Sequence, residues 1–326
     1  MFRSKTNRRN VPAEFRRATQ SAPGERMQVV WPNFYVVGAI KCGTTSIYAH
    51  LRQHPEVFLP AIKEPHYFVT LKSTARKDYA DRWVGNLETY QQLYQGASGF
   101  PAVGDLSPSY LWDPTTPGRI HAVCPDARII ILLSDPVDRA YSHYLMEWRD
   151  YKAPKSFWQA LQDDYFATDK GLCITNLYVE LGLYCDQVKR YIETFGQDQV
   201  LVCLFNEFRD SRALFGKIAR HIGISETPFD AMILDRAFNT FHAPRNMGLH
   251  RALRKIFPQD ARRLVREMIN LPTVSNFLYT SRKPPLDKRS RRFLQDQYEG
   301  DIARLEELLG RKLPELKGSL AVSPGR

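Results

Sequence analysis

The chain has 326 residues, 43% hydrophobic and 25% charged, and its 46 Lys and Arg against 35 Asp and Glu give a formal net charge of +11. That composition excludes a disordered or fibrous chain and provides for a substantial core, while the positive excess points to anionic partners. Five scattered cysteines (Cys42, Cys124, Cys173, Cys185 and Cys203) form no CxxC pair, which argues against a disulfide framework or structural zinc and fits a reducing compartment.

Residues 1–26 hold seven Lys and Arg against two Glu, and residues 1–30 show no periodic apolar face, so they are expected to be a flexible basic tail. No apolar run approaches the roughly 20 residues that span a bilayer, and no apolar signal core follows the basic start, so a cytoplasmic protein is expected. Order is expected from Trp31, with a single domain over residues 31–320 and a short tail over 321–326. Phe34-Tyr35-Val36-Val37-Gly38 reads as a buried strand. Thr45 to Arg52 has helical spacing and stops before His54-Pro55, because a residue before proline avoids helical geometry. Arg128 to Leu133 is an aliphatic run of the kind a central parallel strand shows, and a helix containing Ala140, Tyr144 and Met146 follows Pro136. An amphipathic helix over Gln187–Phe195 precedes a third strand, Val200–Phe205. The late basic stretch, residues 251–292, has twelve Lys and Arg against three acids and four prolines, and reads as looser chain. Arg291–Leu313 reads as a closing amphipathic helix. Strands alternating with helices predict an α/β fold with a doubly wound, mainly parallel sheet. Ligands of such sheets sit beyond the carboxyl ends of the strands, which marks the turns after Val37 and Leu133.

The turn after Val37 carries the strongest chemical signal. Gly38-Ala39-Ile40-Lys41-Cys42-Gly43-Thr44-Thr45 places two glycines, a lysine and hydroxyls between a strand and a helix, the means by which a fold offers amides and a helix dipole to a phosphate. Gly38 and Gly43 have Walker A spacing, yet Thr44 stands where that motif has its lysine, and Lys41 comes earlier. Glycines alone could serve a tight turn; the lysine and threonines beside them point to an anion.

This segment resembles the 5′-phosphosulfate loop of sulfotransferases that use 3′-phosphoadenosine 5′-phosphosulfate (PAPS), in particular the heparan sulfate and bacterial branch. The resemblance continues through His54-Pro55, Lys63-Glu64-Pro65-His66-Tyr67-Phe68, Ser107-Pro108-Ser109-Tyr110, Asp135 to Tyr144, Gly182-Leu183-Tyr184 and Leu305–Pro314. It implies PAPS as sulfuryl donor, with Lys41, Cys42, Gly43, Thr44 and Thr45 around its 5′ end. In-line sulfuryl transfer leaves charge on a phosphate oxygen, so a cation there helps, and Lys41 is the expected one. Glu64 matches the catalytic glutamate of similar glycan enzymes, and His66 is the alternative base because imidazole titrates near neutrality. For the 3′-phosphate the resemblance implies an arginine at the end of the second strand and a serine eight residues later. Ser142 is present, but Ser134 replaces the arginine, which leaves Arg139 or Arg245 to supply the missing charge, with Arg245 preferred. Leu106 stands where many glycan enzymes have an assisting lysine, and Tyr184 is either an adenine contact or core. No metal is expected, since Lys41 can neutralise the leaving oxygen. The acceptor is a hydroxyl or amine, on a glycan or a small metabolite.

Two other readings share some of these features. A small-molecule P-loop kinase would need a metal-holding carboxylate, for which Asp135 is the nearest candidate. A nucleic-acid-binding protein would use residues 251–292 as a phosphate track, but three aromatics, Phe257, Phe277 and Tyr279, make a poor stacking surface, and no nucleic-acid partner is expected.

Overall fold

Ile129, Ile130, Ile131, Leu132 and Leu133 are all fully buried in strand β4 (Arg128–Leu133), and Phe34, Tyr35, Val36 and Val37 are equally buried in β1 (Phe34–Gly38). Each such side chain contributes roughly 1.5–3 kcal/mol on leaving water, which explains why apolar runs with no polar alternation lie in the middle of a sheet covered on both faces. The computed structural model describes residues 30–72, 75, 83–149, 155–230, 243–244, 279–280 and 283–318.

The sheet has five parallel strands in the order β2-β3-β1-β4-β5, adding β2 (Val57–Phe58), β3 (Ala102–Leu106) and β5 (Val200–Leu204). Helices α1 (Thr44–Leu51), α2 (Leu87–Gln92), α3 (Thr116–Val123), α4 (Pro136–Arg149), α5 (Phe157–Tyr165), α6 (Tyr184–Phe195), α7 (Ser211–Ile222) and α8 (Lys288–Leu309) connect and flank it. A short antiparallel pair joins β6 (Ala243–Pro244) to β7 (Tyr279–Thr280). The chain leaves β1 toward β3 and β2 on one side and reaches β4 and β5 on the other. The order therefore reverses at β1, the place where such sheets open a crevice beyond their strand ends. The pairing of β1 with β4 slips between Val36 and Gly38, and the Ala39 amide then donates to the Leu132 carbonyl at 2.7 Å. A bulge at that point re-aims the chain as it enters the phosphate turn.

Strand β3 is not legible as an apolar run because Gly104 and Asp105 interrupt it. Packing explains both residues. A Cβ on Gly104 would lie 2.2 Å from the Phe34 ring, and the buried Asp105 carboxylate accepts hydrogen bonds from Tyr90, Ser107 and Tyr110 hydroxyls at 2.7–2.8 Å. The closing helix starts three residues before its expected beginning, capped by Asp287, whose side chain accepts the Ser290 amide, and it ends at Gly310. Thus Lys288 to Ser290, read as loose basic chain, belong to the first turn of α8. Among the described residues no helix is long and apolar enough to cross a membrane. The expected basic tail and Arg245 lie outside the described residues.

Candidate active site

Helix α1 begins where β1 ends, so its first amides point to the space beyond the sheet. The first-turn N–H groups of a helix have no intrahelical partner, and the cap here is Gly43, which brings no side chain to take them. Gly43 has φ +92°, and a Cβ added to it would meet the Phe208 ring at 2.8 Å. Backbone conformation and packing thus both require glycine at this point of the turn.

Two cavities open here. The larger, about 660 Å³, is lined by Lys41, Gly43, Thr44, Thr45, Glu64, His66 and Ser142 among others. The smaller, about 500 Å³, is lined by Ser134, Asp135, Arg139 and Ser142. They share Lys41, Ser142, Phe205 and Lys283. The structure therefore brings Lys41, Glu64 and His66 into one space and sets Ser134 and Arg139 in the next. Cys42 lines neither cavity. Its amide donates to the Ala39 carbonyl at 3.1 Å, and its buried thiol lies 3.1 Å from the Ser134 hydroxyl. Burial pushes that thiol's pKa up, against the lowering contacts of Ser134 and Arg139. The side chain of Cys42 supports the turn from beneath. Tyr184 is core as well: fully buried, it donates to the Ser134 carbonyl at 3.0 Å.

Five non-glycine residues among those described adopt left-handed backbone: Lys41, Glu64, His66, Cys173 and Leu177. All five line the larger cavity. Such conformations cost about 1–3 kcal/mol each and persist where the surroundings over-determine them, commonly at sites of chemistry. Around His66 the restraints are visible. Its amide donates to the Ser107 hydroxyl at 3.1 Å, its Nδ1 lies 2.5 Å from the Ser109 hydroxyl, and its ring packs against Trp83. Ser107 in turn donates to the buried Asp105.

Glu64 is held between two partners. Its Oε1 accepts a hydrogen bond from Lys63, and its Oε2 lies 3.7 Å from His66 Nε2. Burial raises the pKa of the carboxyl, but His66 and the Lys63 charge outweigh burial and bring it down to about 2. Glu64 is therefore ionised across the neutral range. Lys63 also donates to Thr45 at 3.0 Å and so ties the Glu64 loop to the phosphate turn. Leu106, where the resemblance implies an assisting lysine, is buried in β3.

Arg139 is 1% exposed, so it does not lie on the open surface of its helix. One guanidinium nitrogen donates to the Tyr178 carbonyl; Nε and Nη1 have no hydrogen-bond partner among the described residues. A buried guanidinium left short of acceptors while lining a cavity fits an anionic ligand group. Asp135, the carboxylate a kinase would need, accepts the amides of Val137 at 2.9 Å and Asp138 at 3.2 Å. It is the N-cap of α4, with Pro136 in the first turn.

Several residues of the site were not singled out in the sequence. Beside the expected Ser142, helix α4 presents His143, Met146 and Glu147 to the larger cavity, at the spacing of one helical face. His143 is driven well below the usual histidine pKa by burial, then by the charges of Arg139 and Lys41. Lys41 Nζ lies 3.7 Å from Met146 Sδ. Phe205, just past β5, is 49% exposed although it lines both cavities. Lys283 brings the late basic stretch to the site, and Tyr141 fastens that stretch to α4 by donating to the Pro284 carbonyl at 3.0 Å. The apolar residues among these read as ordinary core, and Lys283 is one of twelve cations in its stretch, so neither carried a local signal.

Fold and site together define an α/β group-transfer domain with its anion turn at the sheet's switch point. Residues 32–266 match the family described as Sulfotransferase domain, and the chain belongs to that family. It is similar to human carbohydrate sulfotransferase 15, with 30% identity over 225 residues, 52% of this chain and 40% of that protein. It is also similar to human heparan sulfate glucosamine 3-O-sulfotransferase 6, with 33% identity over 125 residues, 38% of this chain and 32% of that protein. The chain thus spans about two-fifths of the first of these relatives. The crystal structure of a sulfotransferase from Alicyclobacillus acidocaldarius matches with a TM-score of 0.66 and 29% identity, covering 89% of this chain and 100% of that one.

Proposed function

We propose that this chain transfers the sulfuryl group of PAPS to a hydroxyl or amine, on a carbohydrate or a small metabolite. The observation that carries the reading is the meeting of Lys41 and Glu64, both on left-handed backbone, in one cavity beyond the end of β1. The donor supplies an activated sulfur whose leaving group is a phosphate oxygen. Gly43, Thr44 and Thr45 offer that phosphate their amides and the positive end of α1. Lys41 neutralises charge that develops on the bridging oxygen as the sulfur–oxygen bond breaks and its electron pair stays with the phosphate. Glu64, already a carboxylate, takes the acceptor's proton as the new bond to sulfur forms, and His66 is the alternative base. Ser134, Ser142 and Arg139 suit the second phosphate: the unpartnered guanidinium atoms of Arg139 supply the charge that Ser134 lacks. Arg245 remains a second candidate there. Phe205 offers an exposed ring to the base.

The relatives named above favour a carbohydrate acceptor. Incubation with isotopically labelled PAPS and, separately, glycan, phenol and amine acceptors tests the reading. One acceptor class should gain the label and the mass of one SO₃ group, and Glu64→Gln should lower turnover by about 10²–10⁴-fold while donor binding changes little. Equal losses of turnover and donor binding would make Glu64 structural. The absence of transfer to every class would overturn the proposal.

A further inference from the structure

Glu64 presents a conflict that its partner Lys63 resolves. A carboxylate whose pKa lies near 2 is a weak base, and catalysis is served best by a base that titrates nearer the working pH. His66 is the first group that weakens it, and the second, Lys63, is not fixed in the core. Lys63 sits on the cavity wall, a quarter exposed, with its ammonium shared between Glu64 Oε1 and the Thr45 hydroxyl. Thr45 belongs to the first turn of α1, where the phosphosulfate of the donor would lie. Lys63 therefore stands with one contact on the base and the other on the donor's anchoring turn.

We infer that Lys63 is a positioning residue that senses the donor, holding the Glu64 carboxylate in a closed pair until an anion on the phosphate turn draws the ammonium away. The inference rests on the donor reading above and adds an order of events to it. Without donor, Glu64 is paired and unavailable to an acceptor proton. With donor on the turn, the ammonium has a competing anion beside Thr45, and Coulomb attraction over these few ångströms in a partly buried site is strong enough to redirect a flexible side chain. The carboxylate is then released and becomes more basic at the moment a sulfuryl group is present to receive the acceptor. No covalent step is added. The acceptor proton goes to Glu64, and the bond-breaking pair goes to the phosphate, as before.

The other titratable groups facing this space are His66 on the same loop, Lys41 on the phosphate turn, His50 on α1, His143 and Glu147 on α4, Cys173 and Lys283. Of these, His66 lies 3.7 Å from Glu64, so it is the second group whose charge must be followed.

Carbon-detected NMR of protein labelled at the glutamate carboxyls, with Glu64 assigned by its loss in Glu64→Gln, reads the pairing directly. Adenosine 3′,5′-bisphosphate serves as the probe because it carries the 5′-phosphate without undergoing transfer. In the wild type the bisphosphate should raise the Glu64 titration midpoint by about one unit or more, tenfold in proton affinity. In Lys63→Met the midpoint should already be raised without nucleotide and should move less when it binds; Lys63→Arg should restore part of the response. The imidazole signals of His66, followed in the same titrations, separate its contribution. Nucleotide binding with an unmoved Glu64 signal, or an equal shift in Lys63→Met, would overturn the coupling and leave the donor reading intact. Failure of the bisphosphate to bind at all would overturn both.

Discussion

The larger cavity is walled by groups that already hold one another, whereas the smaller is walled by a charge that the described residues satisfy only in part. In the first, Glu64 is paired with Lys63, Lys63 with Thr45, His66 with Ser107 and Ser109, and Ser107 with Asp105. In the second, Arg139 is buried with Nε and Nη1 unpartnered, next to Ser134 and Ser142. A pre-paired network costs little to maintain in the free protein and fixes directions, as chemistry requires. A buried guanidinium with two nitrogens unpartnered is costly in the free protein, a cost that an anionic ligand would offset. Under the proposed function, the difference suits reaction in one cavity and anchorage in the other, with Lys41 at their shared edge.

The largest effect should come from that edge. Lys41→Ala should keep the fold, judged by an unchanged melting profile, and lose about 10²–10³-fold in turnover, as when one transition-state donor is removed. Turnover near that of the wild type would end the assignment of chemistry to this place. Arg139→Met separates the two cavities. It should weaken adenosine 3′,5′-bisphosphate binding by about 10–100-fold, the worth of a charged hydrogen bond or two, and leave adenosine 5′-phosphate binding nearly unchanged. Equal losses for both nucleotides, measured by calorimetric titration, would deny the smaller cavity its separate role. Gly43→Ala forces a Cβ against Phe208 at φ +92° and should cost about 1–3 kcal/mol of stability in chemical denaturation, with weaker binding of both nucleotides. A neutral result would show that the turn yields.

The smallest effect is a pH dependence. The folded-state pKa of His143 lies below the ordinary 6.5, so the folded protein resists a proton that the unfolded chain accepts. Its contribution to stability is present above about pH 6.5 and is lost as pH falls below that value. The half-buried His221 acts in the same direction. Melting temperature should therefore fall from pH 7.5 to pH 5, by roughly 2–4 °C for each kcal/mol lost, and His143→Asn should flatten part of that slope. An unchanged slope would show that His143 is not held neutral.

Much of this was legible in the residues themselves. The phosphate turn declares itself within ten consecutive positions, because glycine spacing, a lysine and hydroxyls all answer one local need. Strands β1 and β4 follow from unbroken apolar runs that only a doubly covered sheet accommodates. Other features depend on contacts that no local pattern records. Asp105 interrupts the apolar pattern of β3, and only the fold shows that the hydroxyls of Tyr90, Ser107 and Tyr110 converge to satisfy it. The burial of Arg139 is hidden because helix periodicity does not reveal which face a neighbouring element covers. Lys63 pairs with a threonine 18 residues away, and the left-handed backbone of Lys41, Glu64, His66, Cys173 and Leu177 leaves no mark on side-chain identity.

The account stands most directly on calorimetric titration of the protein with adenosine 3′,5′-bisphosphate in the presence of a metal chelator, set beside ATP with Mg²⁺. The bisphosphate should bind without metal and, at about 100 times its dissociation constant, stabilise the fold by about 2.7 kcal/mol. Binding of ATP only with Mg²⁺, together with indifference to the bisphosphate, would contradict it.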